Sequence, residues 1–218
     1  MKTSTKVNII AITAVVVVIG VIAFLAVVRP FSPSREEAAA ATPVVAENSH
    51  RLDVAGGSAV TFTEFVDFEC EVCGAAYPFI EQLREEYAGK VTFVTRYFPI
   101  PAHQNAMNAA IAVEAAAQQG QFEQMYHKMF QTQAEWGEQQ ESKADLFRQY
   151  ADELGLDMDK YDRAVADPAT EQRVRFDFNA GRKLGVEGTP TIFINDTKIE
   201  LESTTSVREA LDQALANQ

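Results

Sequence analysis

The chain is 218 residues long, 47% hydrophobic and 23% charged, with a formal net charge of −12. That length and apolar content suffice for one well-buried domain carrying a sizeable insertion, and two domains are not required. Three of the 19 Lys and Arg residues, Lys2, Lys6 and Arg29, lie in an acid-free N-terminal stretch, which leaves 16 bases against 31 acids, or −15, in residues 30–218. Such a surface repels phosphate backbones and anionic lipid heads, so nucleic acid is not an expected partner.

From Val7 to Val28 the chain reads VNIIAITAVVVVIGVIAFLAVV without a charge. At about 1.5 Å per helical residue this run is about 33 Å long, enough to cross a bilayer. Lys2 and Lys6 precede it, whereas Arg29 and Arg35 beyond it are offset by Glu36 and Glu37, which favours a cytoplasmic N-terminus. Residues 1–29 therefore read as a cytoplasmic N-terminus and transmembrane anchor of a single-pass cell-membrane protein. A cleaved signal peptide is the alternative, but its apolar region would be unusually long and the small residues Ala38 to Ala41 stand well past its end. On either reading the remainder is extracytoplasmic. Residues 30–49, rich in Pro, Ser, Ala and Glu with no apolar period, read as a flexible linker.

The folded part is expected over residues 50–218. A short strand at Arg51–Val54 and a turn at Gly56-Gly57 precede a longer strand from Ala59 to Asp67, rich in β-branched and aromatic residues. After Cys70 the apolar spacing becomes helical, with Cys73, Ala76, Tyr77, Ile80 and Leu83 on one face, a kink expected at Pro78 and an end near Gly89. Val91–Phe98 is another strand, so strand, helix and strand imply a parallel βαβ unit. Residues 102–184 are almost wholly helical in period, with helices at Ala102–Gln118, Gln121–Gln131, Ser142–Leu154, Asp157–Ala166 and Ala169–Leu184. Strands return at Thr191–Ile194 and Lys198–Leu201 as a hairpin across Asn195-Asp196, and Ser206 with Glu209 forms a capping box for the last helix. No internal repeat is present.

The chain has only two cysteines, Cys70 and Cys73, spaced as Cys70-Glu71-Val72-Cys73 where strand gives way to helix. A disulfide closing so small a ring stabilises by roughly 2 kcal/mol against about 3 for a fifteen-residue loop. Its structural return is small, but two thiols one turn apart can attack a substrate disulfide in sequence. At a helix N-terminus Cys70 faces unpaired backbone N–H groups and the positive end of the dipole, which lower its pKa. Cys73, one turn further in, should be more buried and suits the resolving role. Glu71 opposes the thiolate and Glu69 adds to that opposition, so Glu71-Val72 should make the site less oxidising than a neutral or basic dipeptide would.

Gly188-Thr189-Pro190-Thr191 places a proline at the entry to a strand, where a cis X–Pro bond is found. Beside a C-x-x-C helix, Pro190 is expected to pack on the disulfide while Thr189 offers backbone groups to an extended client. Strand alternation puts Phe62, Glu64 and Val66 on one face and Phe65 and Asp67 on the other. One of these acids should lie under the site, where Glu64 could accept the proton of Cys73; an ion pair of the acid with Arg96 is the competing reading. His50, His103 and His127 are too scattered for a zinc site, and no metal or organic cofactor is expected. His103 is expected to cap or line an insertion helix. Trp136, Phe122, Tyr126 and Phe130 recur at helical spacing and read as core.

Strand EFVDF, C-x-x-C opening a helix, Pro78 five residues beyond the second cysteine, a helical insertion, then V-E-G-T-P-T before a hairpin and a final helix together resemble the DsbA-like family of thiol:disulfide oxidoreductases. The resemblance spans residues 50–218. It implies a thioredoxin fold, an α/β architecture of a central mixed sheet flanked by helices, with a helical insertion. It also implies a nucleophile at Cys70, a resolving thiol at Cys73, a cis peptide at Thr189-Pro190, a buried acid at Glu64 and a quinone-linked membrane partner for reoxidation. The sequence departs from the best-known members in having Glu71-Val72 in place of their Pro-His pair. The expected function is an exported, membrane-anchored oxidase that exchanges the Cys70–Cys73 disulfide with client thiols. A reductase or isomerase, or a non-catalytic peptide-binding module, are the alternatives.

Overall fold

The structure, a computed structural model, describes residues 42–57, 60–201 and 203–218. The expected anchor over residues 1–29 lies outside the described residues, and among the described residues no helix is long and apolar enough to cross a membrane.

Five strands form one mixed sheet in the order β1-β3-β2-β4-β5: β1 (His50–Asp53), β2 (Thr61–Val66), β3 (Thr92–Tyr97), β4 (Thr191–Ile194) and β5 (Thr197–Ile199). β2 and β3 run parallel, joined through helix α1 (Glu71–Glu86), while β1, β4 and β5 are antiparallel to their neighbours. β2 (TFTEFV) is central and buried on both faces from Phe62 to Val66, its polar Thr63 and Glu64 included. On one face Phe62 and Phe93 pack with Ile80 and Leu83 of α1 and with Val207 and Leu211 of the C-terminal helix. On the other, Phe65 meets Phe98, Val186 and Phe193.

Between β3 and β4 the chain makes five helices: α2 (Ala106–Ala117), α3 (Phe122–Trp136), α4 (Ala144–Glu153), α5 (Met158–Ala166) and α6 (Pro168–Lys183). α2, sequence AMNAAIAVEAAA, is buried on most of its circumference and packs against all four others, because small alanines let neighbouring backbones approach closely. Trp136, Phe122, Tyr126 and Phe130 are core, as their spacing predicts.

Several expectations need correction. α3 extends five residues beyond the expected Gln131, because Gln133 and Trp136 are buried against the body of the protein. The last helix, α7 (Thr204–Ala216), is capped one turn earlier than expected: Ser203 Oγ accepts from the Ser206 N–H and Ser206 Oγ accepts from the Ser203 N–H. Within the expected linker, Val44, Ala46 and Ser49 are buried. Arg96 binds the carbonyls of Pro43 and Val44 at 3.0 and 2.9 Å, which docks this segment on the sheet. The same guanidinium pairs with Asp177 of α6 at 2.7 Å, both side chains fully buried, so Arg96 is no partner of the strand acids near the cysteines.

Candidate active site

β2 delivers the chain to a turn, Asp67 to Glu69, from which α1 departs. Cys70 is the residue before the first helical turn, with extended φ and ψ of −67° and 119°. Its N–H donates to the Asp67 carbonyl at 3.2 Å and its carbonyl accepts from Gly74 at 3.1 Å. Of the free N–H groups of that first turn, those of Val72 and Cys73 act on the sulfur. Cys73 is 1% exposed and Cys70 5%. The order is the expected one, but Cys70 is less open than a bare helix tip would be, because its Sγ lies 3.4 Å from the Thr189 carbonyl.

Both cysteines are free thiols, and their surroundings push them apart. Cys70 is held down to about 5: the hydrogen bond from the Cys73 thiol contributes most, burial opposes it, and the Thr189 side chain and the backbone N–H groups of Cys73 and Val72 reinforce it. Cys73 is pushed well above the ordinary thiol range, first by burial, then by its hydrogen bond to Cys70 and the charges of Glu64 and Cys70. Glu71 and Val72 are exposed, and Glu71 is not among the principal influences on Cys70, contrary to expectation. As the first residue of the helix, its side chain points to water. Glu69, the other acid expected to oppose the thiolate, is buried, and one carboxylate oxygen accepts from the Asn105 N–H.

Glu64 is buried in β2, registered between Thr95 and Ile192. Burial, with Glu81 adding, raises its carboxyl to about 8. Alternation placed it correctly beneath α1, since its charge is felt by Cys73. The Thr189-Pro190 peptide is cis, as expected. Gly188, Thr189 and Pro190 line a groove of about 280 Å³ that continues along β5 through Lys198 to Leu201.

Two parts of the site escaped the sequence reading. Gln133 of α3 donates to the carbonyls of Phe68 and Cys70, both at 2.8 Å, and clamps the turn from the insertion side. Its Oε1 lies where a side chain at Gly74 would stand, so any larger residue there would displace the Gln133 amide. His103 does not cap α2, whose preceding residue is Asn105; its Nδ1 instead lies 2.8 Å from Asp67 Oδ2. Among the described residues no group of acids, histidines and cysteines is arranged to hold a metal ion.

Residues 56–213 match the family described as Thioredoxin. Among solved structures, BdbD from Bacillus subtilis superposes with a TM-score of 0.70 at 18% identity, covering 80% of this chain and 96% of that one. A thioredoxin-like oxidoreductase from Silicibacter pomeroyi gives 0.65 at 23% identity, with 84% and 98% covered. α-DsbA1 from Wolbachia pipientis gives 0.67 at 19%, with 85% and 97% covered. Among curated proteins, 137 residues are 39% identical to a Na(+)/H(+) antiporter, NhaA 3, of Salinispora tropica, which is 62% of this chain and 20% of that protein. NhaA 1 of Mycobacterium sp. (strain KMS) is 34% identical over 141 residues, 62% of this chain and 22% of that protein. The chain thus spans about a fifth of the length of these curated relatives. The match over 56–213 and the sheet and cis-proline strand described above agree: the chain belongs to the thioredoxin family, and carries a helical insertion between β3 and β4.

Proposed function

We propose that the chain is a protein thiol:disulfide oxidoreductase that works as an oxidase, anchored in the cell membrane by residues 7–28 with its catalytic domain outside the cytoplasm. The observation that carries the reading is the opposed acidity of the two thiols, with Cys70 at about 5 and Cys73 well above the thiol range. A client thiolate attacks Cys70 Sγ of the disulfide, and Cys73 leaves with the bond's electrons and takes up a proton. Glu64, protonated at neutral pH, can supply that proton. The client's second thiolate then attacks the client sulfur of the mixed disulfide and releases Cys70 as a thiolate. The client is oxidised by two electrons and the Cys70–Cys73 pair is reduced by two.

The stabilised Cys70 thiolate supports the oxidising direction, because what stabilises the reduced form strengthens the disulfide as an oxidant. Client proteins with cysteines would dock in extended form beside Thr189 and Pro190, taking the Thr189 carbonyl that now meets Cys70. A quinone-linked membrane oxidase would restore the disulfide, and no other cofactor is needed. Cys70→Ser in the detergent-solubilised full chain should abolish oxidative refolding of a reduced client and reduction of insulin. Unchanged turnover would leave only a peptide-binding module. Equilibration with glutathione decides direction: a potential near −120 mV marks an oxidase and one near −270 mV a reductase.

A further inference from the structure

Residues 30–218 carry −15 and as a whole repel anionic surfaces, so a face on which the sign reverses is informative. α6 presents one. Its buried side, Val174, Asp177, Ala180 and Gly181, lies on the sheet face opposite α1. A Cβ at Gly181 would stand 2.8 Å from the Phe98 ring and 3.0 Å from the Phe65 ring, so helix and sheet approach closely there and the rotation of the helix is fixed. The outward side, Gln172, Arg175, Phe176, Asn179, Arg182 and Lys183, is exposed and follows helical spacing, with three bases and no acid. The acids of the helix lie elsewhere: Glu171 pairs with Arg175, and Asp177 is enclosed between Arg96 and Arg173. Bases in a last helical turn answer the helix dipole, but Arg175 stands about two turns earlier, beyond that influence. Phe176 is 46% exposed beside it; one side of its ring lies over the Arg96 and Arg173 guanidinium groups, at 5.7 and 5.9 Å.

The chain also arrives at this face. Thr42 and Pro43, held by Arg96, form one wall of a groove of about 370 Å³, and Phe176, Asn179 and Lys183 line the other. Val28, the last residue of the apolar run, is 14 positions before Thr42, and such a length of chain reaches at most about 50 Å. On the footing of the membrane anchor proposed above, we infer that the exposed face of α6 rests on the anionic headgroups of the bilayer that holds residues 7–28. Arg175, Arg182 and Lys183 meet lipid phosphates, and Phe176 enters the interface between them. The short connection keeps Thr42, and with it this face, near the lipid, while the negative remainder of the domain is repelled from it. α6 leads within six residues of Lys183 to Thr189, whose carbonyl meets Cys70, so the exchange site stands at the end of the contact face and not beneath it.

The test places the full chain in vesicles, either neutral or containing anionic phospholipid, with a fluorescence quencher carried by the lipid near its headgroup. Phe176→Trp puts a reporter on the face, and Val54→Trp puts one at a 68% exposed position next to Asp53, which pairs with Arg84 of α1 on the other side of the sheet. Trp136 is fully buried and gives a constant background. In anionic vesicles the reporter at 176 should be quenched and the one at 54 should not; equal quenching would overturn the proposal. Arg175→Gln, Arg182→Gln and Lys183→Gln, each added to Phe176→Trp, should lower the ratio of quenched to unquenched lifetimes about fivefold, the scale of one base at an anionic surface. Salt at about 0.5 M should do the same without any charge substitution, which separates the effect from a folding defect. Quenching that ignores both salt and charge removal, or is as strong on neutral vesicles, would sink the assignment. Alkaline carbonate distinguishes this contact from the anchor: a chain washed off the vesicles refutes both, whereas a retained chain with equal quenching at 54 and 176 refutes the α6 contact alone. Neither measurement requires client turnover, so the exchange reading is reported independently by Cys70→Ser.

Discussion

Cys70 and Cys73 sit one helical turn apart in the same α1, yet one is driven toward thiolate and the other toward thiol. The front of the site offers Cys70 backbone N–H groups, the Cys73 thiol and the Thr189 residue. The back surrounds Cys73 with packed side chains and Glu64. Hydrogen bonds to the charged form win at the first position and desolvation wins at the second. Division of labour between two identical residues is therefore set by what the strand ends and the insertion bring to each.

Replacing each cysteine in turn breaks this comparison most sharply. Incubated with oxidised glutathione, Cys73→Ser should retain one glutathione on Cys70, detectable by mass, because the resolving thiol is gone. Cys70→Ser should retain none, since Cys73 is buried and protonated. The ratio at pH 7 should exceed about a hundredfold in rate, given that only thiolate attacks. Equal labelling of the two variants would show that burial does not separate them.

Glu64→Gln tests the back of the site alone. The folded carboxyl keeps its proton until about 8, whereas an unfolded one releases it near 4.5. Between those values the folded carboxyl binds more protons, so the contribution of Glu64 to stability should fall as pH rises through that window, by about 4 to 5 kcal/mol. Glu64→Gln should lack that fall, so its stability relative to wild type should climb across the window and be greatest at pH 8, as read from denaturant melts. Client turnover should fall about a hundredfold, the low end of what a positioned proton donor supplies.

What was legible in the sequence was local. The strand-to-helix junction at Cys70, the Thr189-Pro190 strand entry and the face carrying Glu64 each follow from neighbours or from alternation over a few residues. Asp67 with His103, and Gln133 with the Phe68 and Cys70 carbonyls, are 36 to 65 residues apart, and no period connects them. Their meeting is a product of how α3 and the β3–α2 loop fold back on the turn. The α7 cap was misplaced for a related reason: Ser206 and Glu209 match the capping-box pattern better than Ser203 and Ser206, but the helix starts at Thr204 and so the latter pair forms.

Gln133 links the two halves of the comparison to the insertion. Gln133→Ala leaves the Phe68 carbonyl without this donor and opens space against Gly74, and should cost about 2 kcal/mol, within the range for a buried acceptor losing its partner. Because the lost bonds hold the turn itself, the Cys70 pKa should rise as well, read by thiolate absorbance. A loss of stability with no change in that pKa would mean that the turn keeps its shape without the clamp.

Glu71→Gln should have the smallest effect, although Glu71 is bonded directly to Cys70. Sequence adjacency suggested that its carboxylate weakens the thiolate, but the side chain is exposed and water screens it, while the groups that act on Cys70, the Cys73 thiol foremost, are enclosed. Removing the charge should make the disulfide more oxidising by less than about twofold in the glutathione equilibrium, the scale of an exposed charge interaction. High salt should erase even that difference while leaving the buried contributions to the Cys70 pKa largely in place. A tenfold change on Glu71→Gln would place a controlling charge between the cysteines and remove the distinction between screened and enclosed groups on which the front of this site depends.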